Sequence, residues 1–233
     1  MRSTLIISGL AAASLTLAAT ADITSVGLVS YSVTAEEFGG ASVTVNVQDL
    51  YLYSDDAADI ALNVYDLTLA EAARVTYYQS ATGAGWAPTN LGGMFDTSAT
   101  RLADSFVTIG GFMQDMLIPE QAPGMGAGTG LDPNFGGNGS PYPNAFAGWY
   151  NGSPPNLNGQ VGMLPGTAGM GVLIGRFAYD GDFDLSGTTL EVTWNQGLGT
   201  PGNQAGFIVN IPAPGAMALL GLAGLTGRRR RNG

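Results

Sequence analysis

A period-two alternation of apolar and polar residues is the feature that most constrains this chain. In ASVTVNVQDLYLY, Val43, Val45 and Val47 share a face, with Tyr51 and Tyr53 further along it. In DIALNVYDLTLA, Ile60, Leu62 and Val64 share a face, and the phase then slips to Leu67 and Leu69. A slip of one residue predicts a β-bulge near Tyr65–Asp66. In TTLEVTWN, Leu190, Val192 and Trp194 face one way while Glu191 and Thr193 face the other. GFIVNI and GVLIGRFAY also read as strands, because neighbours in a pleated strand point to opposite faces. Only LTLAEAARVTYY offers a helical alternative, which its β-branched and aromatic end weakens. Polar alternate positions favour antiparallel sheets with one face in water. The expected fold for residues 22–210 is all-β: a single antiparallel β-sandwich, jelly-roll-like, of roughly eight to ten strands.

Residues 110–170 read differently. They hold 15 glycines and eight of the twelve prolines, which strand interiors tolerate poorly. They also carry Phe112, Phe135, Tyr142, Phe146, Trp149 and Tyr150, too many rings for a disordered linker. Long ordered loops folded over the sheets, with at most a short strand, are expected there.

The missing residue types narrow the chemistry. The chain has no cysteine, no histidine and no lysine. There is therefore no disulfide framework, no thiolate nucleophile and no cysteine-based metal site. The usual general base near neutral pH is absent, as are Schiff-base chemistry and the lysine of a phosphate loop. GMGAGTG is thus no phosphate loop. A two-carboxylate glycosidase survives these exclusions. Asp104, Asp115, Glu120 and Asp132 lie in or near the loops, but nothing singles out a pair. The chain is expected to be non-enzymatic.

Three stretches could bind a ligand. In YDGDFDLSGTTLE, Asp180, Asp182, Asp184 and Glu191 have the acidic spacing of a calcium loop, in which alternating carboxylates wrap a hard cation. Leu185 stands where the sharp turn of such a loop wants glycine, and the flanks read as strands. An acidic, solvated hairpin loop is the alternative. In SDDAADI, Asp55, Asp56 and Asp59 fit a turn between two strands better than a metal site. Trp149 and Tyr150, beside Asn and Gly, could form a platform on which a polysaccharide ring stacks, or could pin the loops to the core.

Charge and apolar runs at the two ends concern destination. Residues 1–21 have Arg2, an apolar run from Leu5 to Leu17, and then Ala19-Thr20-Ala21, the small-x-small pattern of a signal peptidase site. Cleavage is expected before Asp22. Between the ends, 18 acidic residues face only Arg74, Arg101 and Arg176, a net charge of −15. Such a body is expected to bind no nucleic acid, which requires cationic side chains. Residues 211–233 run from Pro212-Ala213-Pro214 and Gly215 through a short apolar stretch to Arg228, Arg229, Arg230 and Arg231. As a helix, the 13 residues from Gly215 to Gly227 would reach about 20 Å, short of a bilayer core of about 30 Å. Membrane association through this stretch is expected to be transient, with the arginines on the cytoplasmic side.

This tail resembles the PEP-CTERM sorting signal of bacterial exported proteins, which exosortase, a membrane-embedded transpeptidase-like enzyme, handles. The resemblance implies export, recognition at Pro212-Ala213-Pro214, removal of the tail, and delivery to the cell surface or the surrounding polysaccharide matrix. It covers about the last 23 residues and leaves the body open. The expected role of the body is structural or adhesive; the alternative is a carbohydrate-binding or carbohydrate-cleaving module.

Overall fold

The computed structural model describes residues 22–83, 85–87, 97–110, 129–152, 159–164 and 169–210. They form an all-β protein of two open antiparallel sheets. The first contains β1 (Ile23–Glu36), β2 (Ser42–Ser54), β8 (Met170–Tyr179) and β4 (Phe106–Val107), in the order β1-β2-β8-β4, with β7 (Gly162–Met163) also paired to β8. The second has the order β10-β9-β3-β6-β5, from β10 (Asn203–Ile208), β9 (Thr189–Asn195), β3 (Ile60–Thr68), β6 (Ala147–Asn151) and β5 (Thr129–Leu131). One short helix, α1 (Ser98–Leu102), is capped by Thr97, whose side chain accepts from the Thr100 N–H.

A single apolar core draws on both sheets. Val26, Leu28, Leu50, Leu52, Val172 and Ile174 come from the first, and Val64, Leu67, Trp149, Leu190, Val192 and Trp194 from the second. Each such side chain, fully buried, contributes about 1.5–3 kcal/mol. An edge-to-face chain of rings runs through the core: Phe183 to Tyr77 at 5.5 Å, Tyr77 to Trp86 at 5.6 Å, Trp86 to Phe135 at 5.6 Å and Phe135 to Trp149 at 6.3 Å. A second, smaller cluster lies on the opposite side of the first sheet, where Ala99 of α1 and its C-cap Ala103 pack on Ala35, Val45, Val47 and Ala178. β2 is therefore apolar on both faces. The face carrying Val45 and Val47 meets the α1 cluster, while Leu50 and Leu52 on the other face enter the main core.

The expected bulge at Tyr65–Asp66 is present. The register of β3 with β6 shifts between Val64 and Leu67, and Asp66 has φ 51°. A second irregularity, at Leu62, corrects the face expected for Ile60, Leu62 and Val64. The β3–β9 register shifts between Ala61 and Asn63, so Ala61 rather than Leu62 joins Val64 in the core. The helical alternative for LTLAEAARVTYY is reduced to one 3-10 turn, Glu71–Ala73. The Gly/Pro-rich stretch holds more strand than expected: β5, β6 and β7 all fall within it.

Candidate functional site

Arg176 is the one charge in the apolar strand β8, and it is 1% exposed. A guanidinium does not lose its proton, so burial demands partners. Its Nε donates to Asp49 Oδ1 at 2.8 Å, Nη2 to Asp49 Oδ2 at 3.1 Å, and Nη1 to the Arg101 carbonyl at 2.8 Å. Its guanidinium carbon lies 5.2 Å from the centre of the Phe106 ring. Tyr31 donates to Asp49 Oδ2 at 3.1 Å; burial, and then the Asp49 carboxylate, hold its hydroxyl far above the ordinary phenol range. Asp49 and Arg176 are directly opposed in the β2–β8 ladder, so the pair belongs to the sheet's own architecture. A cation isolated in an apolar strand was the signal for it.

A second polar cluster joins the β1–β2 turn to the segment before α1. Glu37 accepts from the Tyr78 hydroxyl and from Ala81 N–H at 3.2 Å. Asp104 accepts from Ser80 N–H at 2.7 Å, and Thr100 hydrogen-bonds to Ser80 and to Thr82 at 2.8 Å each. Burial pushes the Asp104 carboxyl up to about 7; the Ser80 N–H opposes this shift, while Glu37 adds to it. These partners are backbone N–H groups and hydroxyls of the 78–82 segment, so both carboxyls hold that loop in place. Asp132, another of the loop carboxylates, caps the 3-10 turn Pro133–Phe135 by accepting from Phe135 N–H at 2.9 Å. Asp115 and Glu120 lie outside the described residues.

The acidic stretch at 180–191 is not a hairpin loop, because β8 and β9 belong to different sheets. It is a crossover. Buried Leu185 plugs it into the core, and the carbonyls of Gly181 and Phe183 accept from the Asn46 and Gln48 amides of β2. Asp184 accepts from Ser186 N–H at 2.8 Å, while Glu191 stands within β9, where it accepts from Gln204 at 3.1 Å. Among the described residues, no three of the carboxylates Asp180, Asp182, Asp184 and Glu191, or of any other such groups, are grouped to hold a metal ion. The loop of Asp55, Asp56 and Asp59 is likewise a crossover, from β2 to β3. Asp55 accepts from Asp22 N–H at 3.0 Å, Asp56 from Ala58 N–H at 2.8 Å, and buried Asp59 from the Ser54 hydroxyl at 2.7 Å.

Trp149 and Tyr150 do not form a joint platform, since consecutive strand residues point to opposite faces. Trp149 is 1% exposed and donates from Nε1 to the Thr108 carbonyl at 2.9 Å. Tyr150 is 45% exposed and covers Gly130, where an added Cβ would lie 2.5 Å from its ring. Two clefts remain. One, of about 350 Å³, lies between β1, β2 and the 180–188 crossover, with Ser30, Ser32, Asn46 and Asp182 in its wall. Its amides are already engaged by the crossover. The other, of about 380 Å³, is lined by Thr68, Leu69, Arg74, Tyr142, Asn144 and Ala145. Nothing in the sequence marked it, because its walls come from segments some 70 residues apart.

Ala19, Ala21, Pro212, Ala213, Pro214, Gly215 and Arg228 to Arg231 lie outside the described residues. Among the described residues, no helix is long and apolar enough to cross a membrane. Comparison with protein-family models, with curated proteins and with solved structures finds no match for this chain.

Proposed function

We propose that this chain is an exported cell-surface or extracellular-matrix protein. Its body, a jelly-roll-like β-sandwich made by the two sheets across their common core, serves a structural or adhesive rather than an enzymatic role. The observation that carries this reading is the pair of ends: a signal-peptidase pattern at Ala19 and Ala21, and a Pro212-Ala213-Pro214, apolar, Arg228–Arg231 tail. The described fold is compatible with both cuts. β1 begins at Ile23, just past the first expected site, and the last bridge, from Asn210 to Gly27, comes just before the second. Removing both ends would leave every described strand intact. Processing would fall to signal peptidase and an exosortase-like enzyme, with membrane contact confined to the interval between the two steps.

Mass spectrometry of the protein isolated from its own cells tests this. The expected product starts at Asp22, ends near Pro212–Gly215 and is found at the surface or in the matrix. An intact chain in the cytosol would overturn the reading. A saccharide-binding body is the second reading, favoured by the cleft around Arg74.

A further inference from the structure

We propose that the Arg74 cleft binds the carboxylate of an acidic sugar. This rests on the saccharide reading of the body and is independent of where the protein resides. Arg74 is exposed in a body that carries 18 acidic residues, yet among the described residues no carboxylate pairs with it. Its Nε donates to the Leu69 carbonyl at 3.2 Å, which fixes the guanidinium plane and leaves both terminal nitrogens for a ligand. A guanidinium fork matches a carboxylate in bidentate fashion. One cation balances one negative charge, which suits a carboxylate better than a doubly charged phosphate. The remaining walls suit the rest of a sugar. Half-buried Tyr142 offers a ring, Asn144 an amide and Thr68 a hydroxyl. The cleft, at about 380 Å³, falls within the usual range for small-ligand sites, about 300–1,000 Å³.

Backbone strain gathers at the same place. Phe146, next to the cleft residue Ala145, has φ 63° and is 59% exposed, an unusual position for an aromatic residue. Asp66, at φ 51°, lies in the bulge of the adjoining β3–β6 ladder, two residues before Thr68. Left-handed non-glycine residues and bulges collect where a fold re-aims side chains for a ligand.

Titration calorimetry of the full-length chain, with a galacturonate oligomer, the matched neutral galactose oligomer and inorganic phosphate, tests this. Galacturonate is expected to bind, more weakly as salt is raised, with no heat from the other two. Arg74→Gln should weaken binding by about tenfold or more, and Arg74→Lys by less, because it keeps the charge without the fork. Asn144→Ala should weaken binding while keeping the preference for acid; it serves as the second variant should Arg74→Gln fail to fold. The proposal would be overturned by no galacturonate binding up to about 10 mM, by equal binding of the neutral oligomer, or by undiminished binding by folded Arg74→Gln. Binding of the neutral oligomer alone would remove the acidic sugar and leave the saccharide reading standing. Phosphate binding as tight as galacturonate would make this a general anion site and also overturn it.

Discussion

Arg176 and Asp49 form a buried ion pair whose partners lie 127 residues apart in the chain. Removing one member leaves the other charged and buried. Arg176→Met should therefore cost about 3–5 kcal/mol, read from urea unfolding. The double variant Asp49→Leu/Arg176→Met should recover much of that loss, because a buried pair often contributes little net stability. Asp104 gives a pH signature. Its folded pKa, about 7, is raised above the ordinary 3.8, so between these values the native state holds a proton that the unfolded chain has lost. This group's contribution is fully present below 3.8 and is lost as pH rises through about 7. Melting temperatures measured across that interval should show a decline in the wild type that flattens in Asp104→Asn. A profile unchanged by the substitution would contradict the assignment. The Arg176 site was not singled out from the sequence, although a lone cation in the apolar run GVLIGRFAY is the signal that could have found it. Its partner carries no such signal, because pairing over that distance depends on sheet topology.

At the scale of elements, the strands with at least three alternating pairs were legible: β2, β3 and β9 stand where their period of two put them. β4 and β7 have two residues each, too few to show a period. The bulge at Tyr65–Asp66 was visible as a phase slip. The irregularity at Leu62 was not, because it accompanies a distant neighbour: Gly159 accepts from Ala61 N–H at 2.9 Å, and a Cβ on Gly159 would lie 2.1 Å from the Ala61 carbonyl oxygen. Gly159 also has φ 86°, so Gly159→Ala should destabilise by about 2 kcal/mol or more. Phe146→Gly should do the reverse, relieving up to about 1 kcal/mol of backbone strain; thermal unfolding of the two variants checks both signs. The hairpin alternative for the 180–191 crossover failed for a related reason, whereas Asp55–Asp59 does join two strands as expected: local sequence says that the chain turns, not which sheet it enters next. The Arg74 cleft was hidden in the same way, since Arg74 meets Tyr142 and Asn144 only in the fold.

For the whole molecule, the common core predicts one cooperative unfolding transition, with calorimetric and van't Hoff enthalpies in agreement; two separated transitions would show that the sheets are energetically independent. The strand order has a further consequence. β2 needs β8 and β3 needs β9, so the middle of each sheet joins an early segment to a late one. A chain ending at residue 169 lacks β8, β9 and β10 and should remain unfolded by circular dichroism. During synthesis the emerging polypeptide thus meets few early stopping points: until roughly five-sixths of it has appeared, β9 is incomplete and the core shared by the two sheets cannot close. A protein wired this way would remain an open, threadable polypeptide almost until its last strand is made.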